Sequence, residues 1–208
     1  MEDVLDTYHL PQDPRCPLVC FDETSKQLVK EKRVPIRTAP GQVECYDYEY
    51  ERKGVCNLFL FFAPLESWRH VKVTDRRTKM DWAQCMKDLV DIHFPDADRI
   101  RVVLDNLNTH RSAALYERFE PAEAKRILDR LEFHYTPKHG SWLNMAETEF
   151  SVLIRQCLSR RIPDQAALAE QIDAWQSERN AKCSTVEWQF TTADARVKLK
   201  RLYPSINE

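Results

Sequence analysis

Apolar and polar positions in the first third of the chain repeat with the period of β-strands. Residues 17–22 form a short apolar run, which is typical of a buried strand. Residues 44–51 alternate tyrosines with acidic side chains, as a half-exposed strand does. After a turn at Gly54, an apolar run over residues 55–62 predicts a central strand, and residues 68–74 alternate again. The pattern predicts an antiparallel meander.

After Lys79 the period changes to that of helices. Apolar side chains recur at helical spacing from Trp82 until Pro95 stops the helix. Short strands are predicted over residues 100–105 and 131–135. Further helices are predicted over residues 112–119, 121–131, 141–158 and from 164 to about 181. A meander followed by alternating helices and strands predicts an α/β fold with a mixed sheet covered by helices.

Composition is that of an ordinary globular chain. With 208 residues and 43% hydrophobic content, it can bury one substantial core. No apolar run approaches the roughly 20 residues that cross a bilayer, and the acidic N-terminus lacks the features of a signal peptide. The seven cysteines lie scattered in mostly apolar segments, as reduced thiols do. We therefore expect a cytoplasmic protein without a membrane partner.

Charge and glycine content narrow the possible ligands. The formal net charge of −2 gives no global positive field, so a nucleic-acid partner would have to be held by local patches. Three glycines are too few for a loop that cradles phosphates, which argues against a nucleotide cofactor.

Three carboxylates stand where strands and a helix would carry them to one end of a sheet. Asp22 ends the first apolar run, Asp105 ends the strand at 100–105, and Glu147 lies in the helix predicted over 141–158. Buried carboxylates repel one another unless they bind a cation, and hard oxygen ligands favour Mg²⁺ or Mn²⁺. The three acids predict a metal-dependent phosphoryl-transfer site.

Each acid also has a structural interpretation or a competitor. Asp22 and Asp105 could simply cap turns at strand ends. Glu23 alternates to the opposite face of its strand, which favours Asp22. Helical geometry does not choose between Glu147 and Glu149, because both lie near the margins of the same apolar arc.

Five segments carry a resemblance to a known family: residues 21–24, 103–110, 135–147, 179–182 and 188–192. Their order and content resemble the ribonuclease H-like catalytic domain of DDE transposases, in particular the bacterial insertion-sequence branch of the mariner superfamily. The combination of Asp-Asn-x-x-x-His at a strand end with a later Leu-Asn-x-x-Glu is specific. The spacing between the second and third acids is somewhat longer than is usual in that family.

The resemblance implies a mixed five-stranded sheet, an antiparallel meander followed by parallel strands, flanked by helices. Its register selects Glu147 as the third acid. It implies that Asp22, Asp105 and Glu147 hold two Mg²⁺ ions, for which Mn²⁺ can substitute. The reaction would be DNA cleavage at element ends and strand transfer into a target. The implied domains are a remnant or linker at 1–16, a catalytic domain at 17–162 and a helical extension at 163–208, listed in chain order.

Five polar residues are candidates for DNA contact. Lys138 and His139 precede Glu147 in a loop, where cations would meet phosphates. Asn106 follows the second acid, and Arg155 lies further along the predicted helix. For His110 two interpretations stay open, one as a residue that positions a phosphate or a metal-bound water, the other as a polar loop residue.

The aromatic residues at strand or helix period are assigned to packing rather than to base stacking. They are Tyr46, Tyr48, Tyr50, Trp142, Trp175 and Trp188.

The implied partners are the element ends and the target DNA, bound by a homodimer or a higher synaptic assembly in the bacterial nucleoid. The family normally carries a helix-turn-helix region before the catalytic domain, and only a short segment precedes residue 17. We therefore expect a catalytic domain from a truncated or split reading frame. The alternatives are a structure-specific nuclease or resolvase on the same fold, or an inactive truncated transposase that acts only by dimerisation.

Overall fold

A five-stranded mixed sheet forms the centre of the molecule. The computed structural model describes residues 1–33, 40–41, 48–138 and 140–203. Within them the strands are β1 (Leu18–Glu31), β2 (Tyr50–Ala63), β3 (Trp68–Thr74), β4 (Ile100–Leu104) and β5 (Leu131–Tyr135). Their order is β3-β2-β1-β4-β5; β1, β2 and β3 pair antiparallel, whereas β4 and β5 run parallel to β1. This confirms the predicted sheet.

Helices cover both faces of the sheet. They are α1 (Glu2–Tyr8), α2 (Lys79–Asp88), α3 (Ala113–Arg118), α4 (Pro121–Asp129), α5 (Met145–Leu153), α6 (Gln165–Ala181) and α7 (Thr192–Lys198). Helices α2 and α5 continue as π-helical segments, Leu89–His93 and Ile154–Leu158. One core packs α1, α5, α6 and α7 on one face, and a second packs α2, α3 and α4 on the other. No helix in the described part of the chain is long and apolar enough to cross a membrane.

The structure corrects two predicted elements. Strand β1 does not end at Asp22 but continues to Glu31, because β2 pairs with it along this length. The predicted helix over 141–158 is broken at Asn144, whose backbone is extended and whose side chain accepts a hydrogen bond from Ala146 N–H. A 3₁₀ turn, Ser141–Leu143, precedes that break.

Of the strand predicted over 44–51, residues 44–47 lie outside the described residues. Its last two residues belong to β2. Tyr46 is therefore not compared with its prediction.

Helix α1 contributes to the core although its segment was predicted to be a remnant or linker. Val4 and Leu5 are completely buried. The Tyr8 hydroxyl donates a hydrogen bond to Leu143 O at 2.6 Å and accepts one from Met145 N at 3.4 Å. The N-terminal helix thus holds the turn from which α5 begins.

Side chains of α6 occupy the open edge of β3. The Gln176 amide oxygen accepts from Val71 N–H at 2.8 Å. The Asn180 amide accepts from Arg69 N–H and donates to Arg69 O, both at 2.9 Å. Because unpaired strand edges invite pairing with other chains, these amides close an edge that would otherwise be exposed.

A buried ion-pair network connects α5 with β3 and α6. Glu149 Oε1 lies 2.8 Å from Arg69 Nε, and both side chains are completely buried. Arg179 adds contacts of 2.8 and 3.1 Å to the two Glu149 oxygens. Arg69 also donates to Asn180 Oδ1 and to Ser184 O. Two cations therefore fix the one carboxylate of α5 that lies inside the core.

We predict that Glu149→Ala lowers the free energy of unfolding by about 3 to 5 kcal/mol, because Arg69 is left buried without its counter-charge. Urea denaturation measures this change. Glu178→Ala, which removes an exposed partner of Lys182, is the matched control and should change little. Equal losses in the two variants would contradict the structural role of Glu149.

Candidate metal centre

The sheet register sets Asp22 and Asp105 side by side. Strands β1 and β4 pair in parallel with Cys20 opposite Val103, so the residues two positions further along are Asp22 and Asp105. Adjacent strands lie about 4.8 Å apart, and residues two apart share a face. Cys20 and Val103 belong to the core that packs against α5. Asp22 therefore faces α5, whereas Asp105 lies one residue past the end of β4 and its Oδ1 is 2.6 Å from His110 Nδ1.

Helix α5 brings the third acid to the same face. Glu147 lies in its first turn, one residue after the completely buried Ala146. Asn144 caps the helix by accepting from Ala146 N–H at 3.1 Å, and its amide donates to Phe21 O at 2.9 Å. Since Phe21 directly precedes Asp22, Asn144 ties the beginning of the helix to the strand that carries the first acid.

The electrostatics of Asp22 show that the three carboxylates influence one another. Burial, with smaller contributions from the negative charges of Asp105 and Glu147, raises the pKa of Asp22 to about 7 against the lowering effect of the hydrogen bond from Glu23 N–H. That bond is 2.7 Å long and nearby His110 also favours the ionised form. A carboxyl whose pKa is shifted this far by burial and by neighbouring acids is a candidate functional group.

The acids are near one another but are not gathered into a chelating cluster. Among the described residues, no group of three or more His, Cys, Asp and Glu side chains is arranged to hold a metal ion. Asp22 accepts from Glu23 N–H, and Asp105 Oδ1 lies 2.6 Å from His110 Nδ1. The donors are carboxylate oxygens at a site of excess negative charge, so their chemistry fits a hard divalent cation. Joint chelation would require Asp22, Asp105 and Glu147 to turn inward.

His110 lies behind Asp105 rather than on the surface. Its ring is completely buried, and its Nε2 is 3.6 Å from the Glu23 carboxylate. Burial alone would lower its pKa, but Asp105 and Glu23 outweigh burial and raise it to about 9. The predicted contact with a DNA phosphate does not fit this burial. The ring instead orients the Asp105 carboxylate, as outer-shell partners of metal ligands do.

Glu23 is the residue of this site that the sequence did not reveal. Its side chain points to the face opposite Asp22, as strand alternation predicted, yet it reaches His110 and lies 3.9 Å from Arg77. Only its adjacency to Asp22 could have drawn attention to it.

The surroundings of Glu147 and Glu149 differ, and the difference bears on which of them is the third acid of the site. Glu149 is buried and paired with Arg69 and Arg179. Glu147 is partly exposed, and its charge acts on Asp22. Glu147 does not complete a capping box with Asn144, because Asn144 N–H already bonds to Ser141 O.

The other candidates for DNA contact are exposed where the structure describes them. Asn106 follows β4, and Lys138 lies in the loop after β5, so both are at the carboxyl ends of adjacent parallel strands. Arg155 lies in the π-helical segment after α5 and donates to Ser151 O. His139 lies outside the described residues.

The chain belongs to the DDE superfamily endonuclease family, whose model matches residues 17–169. Among curated proteins no match was found.

Solved structures show the same fold at low sequence identity. The Mos1 mariner paired-end complex with Mn has a TM-score of 0.58 at 15% identity, over 86% of this chain and 54% of that one. The Mos1 strand transfer complex matches with a TM-score of 0.53 at 16% identity, over 88% of this chain and 60% of that one. A simian T-cell lymphotropic virus intasome matches with a TM-score of 0.50 at 11% identity, over 79% of this chain and 50% of that one. The chain thus spans little more than half of these proteins, and the likeness confirms the ribonuclease H-like fold.

We predict a pH dependence of the metal-free protein that originates at Asp22. Its pKa rises from 3.8 to about 7 on folding, so the folded chain holds the proton more tightly and its stability falls as pH rises from about 4 to about 7. Asp22→Asn should remove this fall, and the variant should be more stable than wild type at pH 8 by on the order of 2 kcal/mol. Urea denaturation in chelator at several pH values measures the difference.

The exposed Asp96→Asn variant is the control and should follow the wild-type profile. A difference between wild type and Asp22→Asn that stays constant with pH would show that Asp22 does not carry this effect.

Proposed function

We propose that this chain is a transposase catalytic domain that cleaves DNA at element ends and transfers the freed strand into target DNA. The observation that supports the proposal is the β1–β4 register, which brings Asp105 next to Asp22, together with the effect of the Asp105 and Glu147 charges on the pKa of Asp22. Membership of an endonuclease family and a fold shared with mariner complexes support it.

Asp22, Asp105 and Glu147 are the residues that would hold the catalytic metal. When bound, two Mg²⁺ or Mn²⁺ ions would activate the attacking oxygen and stabilise the leaving one. The protein's part is to present three carboxylates from rigid elements and to keep Asp105 oriented through His110. Water is the nucleophile in cleavage and the freed 3′ hydroxyl is the nucleophile in strand transfer, so no covalent protein intermediate is expected.

Exposed cations and amides near the acids supply the DNA contacts in this proposal. Lys138 and Asn106 would meet phosphates beside the cut, and Arg155 would meet the backbone further along α5. His139 keeps this role as a prediction. Two element ends have to be brought together, so we propose a homodimer or a larger synaptic assembly.

The finer assignment is to the bacterial insertion-sequence branch of the mariner superfamily, with a cytoplasmic, nucleoid-associated site of action. It is supported by residues 103–110 and 135–147, which carry the family-specific motifs.

We predict that replacing Asp22, Asp105 or Glu147 by Ala reduces Mg²⁺-dependent cleavage by more than the roughly 10- to 100-fold that loss of an outer-shell partner costs. The substrate is a plasmid that carries the DNA flanking the reading frame, and nicking and joining of labelled 3′ ends are both measured. Asp96→Ala is the matched control and should remain active.

Full activity of the Asp105→Ala protein would overturn the assignment. Cleavage without joining would favour a structure-specific nuclease or resolvase on the same fold. DNA binding without cleavage by the wild-type chain would favour an inactive transposase that acts by dimerisation.

We predict that His110→Ala weakens Mn²⁺ binding by about 10- to 100-fold, because Asp105 loses the group that orients it. His110→Asn should recover part of this loss, since an amide can donate to the same carboxylate. His134→Ala, which removes a histidine on the edge strand β5 that contacts Asp3 rather than Asp105, is the control. Titration calorimetry measures the affinity without any need for activity, and unchanged affinity in His110→Ala would exclude the orienting role.

A further inference from the structure

Trp142 departs from the packing role that helical period predicted for it. Its side chain is 44% exposed, whereas Trp82 is completely buried and Trp175 is 8% exposed. The cause is the break at Asn144, which places Trp142 on the 3₁₀ turn Ser141–Leu143 instead of on the buried face of α5. A large aromatic surface therefore faces solvent.

This indole is held in place although it is exposed. Its ring packs at 70° against Phe190, with centroids 5.8 Å apart. The next residue, Leu143, is buried, and its carbonyl accepts the Tyr8 hydroxyl bond. Trp142 is thus a fixed surface whose orientation costs little to maintain when a ligand binds.

The polar end of the indole is also free. The N–H of Trp175 donates to Gln156 Oε1, and that of Trp188 donates to Phe190 O. Within the described residues nothing accepts a hydrogen bond from Trp142 Nε1. Trp142 accordingly offers an open aromatic face together with an unused donor.

Trp142 lies on the turn that Asn144 ties to the strand of the first acid, because the Asn144 amide donates to Phe21 O, one residue before Asp22. Trp142 lies five residues before Glu147 and four after the exposed Lys138. Leu107, in the loop that follows Asp105, is 41% exposed as well. The acids repel phosphates, so contacts beside them have to come from cations and from uncharged surfaces.

We propose that Trp142 is a binding site for an unpaired DNA base next to the phosphate that is cut, with the base stacked on the indole. Bases inside a duplex are already stacked on their neighbours, so only an unpaired base can offer its face to a side chain. Stacking is tolerant of sequence because every base has an aromatic face. The inference rests on the proposed function, since it takes the DNA substrate from there.

The test is binding of the full chain, in chelator, to two DNA probes that share one duplex. One probe is blunt, and the other has a short single-stranded 3′ overhang that contains 2-aminopurine. The variants are Trp142→Ala, Trp142→Leu and Trp142→Phe, of which Leu keeps apolar contact with Phe190 and Phe keeps a ring. Trp68→Leu, on the opposite face of the sheet, is the control. Melting temperatures verify that each variant is folded.

The wild type should prefer the overhang probe and change its 2-aminopurine fluorescence. Loss of stacking should weaken overhang binding by roughly 5- to 150-fold in the Ala and Leu variants and abolish the fluorescence change. Binding to the blunt probe should persist, and the Phe and control variants should behave as wild type.

Equal weakening on both probes, or an unchanged preference in Trp142→Ala and Trp142→Leu, would overturn the inference while leaving the proposed catalysis intact. Absence of any DNA binding by the wild type would overturn both. Loss of metal-dependent cleavage with a retained overhang preference would count against the catalytic proposal alone, because the binding test is made without metal.

Discussion

The candidate site depends on sheet packing that keeps carboxylates of like charge close together in a partly buried position. Asp22 and Asp105 come from adjacent strands whose register is fixed by apolar partners at Cys20 and Val103, so repulsion cannot separate their backbones. Burial, together with the charges of Asp105 and Glu147, raises the pKa of Asp22 to about 7. Such an arrangement is unfavourable for an isolated protein, and it is the reason to look for a cation.

Hydrogen bonds and ion pairs hold the helix that carries Glu147 in place against this repulsion. Asn144 joins the beginning of α5 to Phe21 O, and Tyr8 bonds to both sides of the same break. Further along the helix, Glu149 is fixed by Arg69 and Arg179. One helix thus carries a structural acid that is neutralised inside the core and, two residues earlier, an acid left free at the surface. Glu147 and Glu149 are the same residue type, and they differ only in what surrounds their side chains.

Much of the fold was predictable from local pattern. The strands at 68–74 and 131–135 and the helix that begins near Lys79 are where periodicity placed them, because alternation and helical spacing report directly on which side of an element is buried. Strand β1 was predicted too short, since its second half is stabilised by pairing with β2 and not by its own apolar content. The helix over 141–158 was predicted to begin too early, since the side-chain cap at Asn144 makes α5 begin only at Met145.

The sequence by itself determined the fold class, the family resemblance and the three candidate acids, because strand ends, helix starts and short motifs are local properties of the chain. Tertiary structure alone decided which partners each side chain meets. It placed His110 in the interior between Asp105 and Glu23, paired Glu149 with two arginines, and left Trp142 open to solvent. The physical reason is that burial and charge pairing depend on residues far apart in the chain, which sequence spacing does not specify.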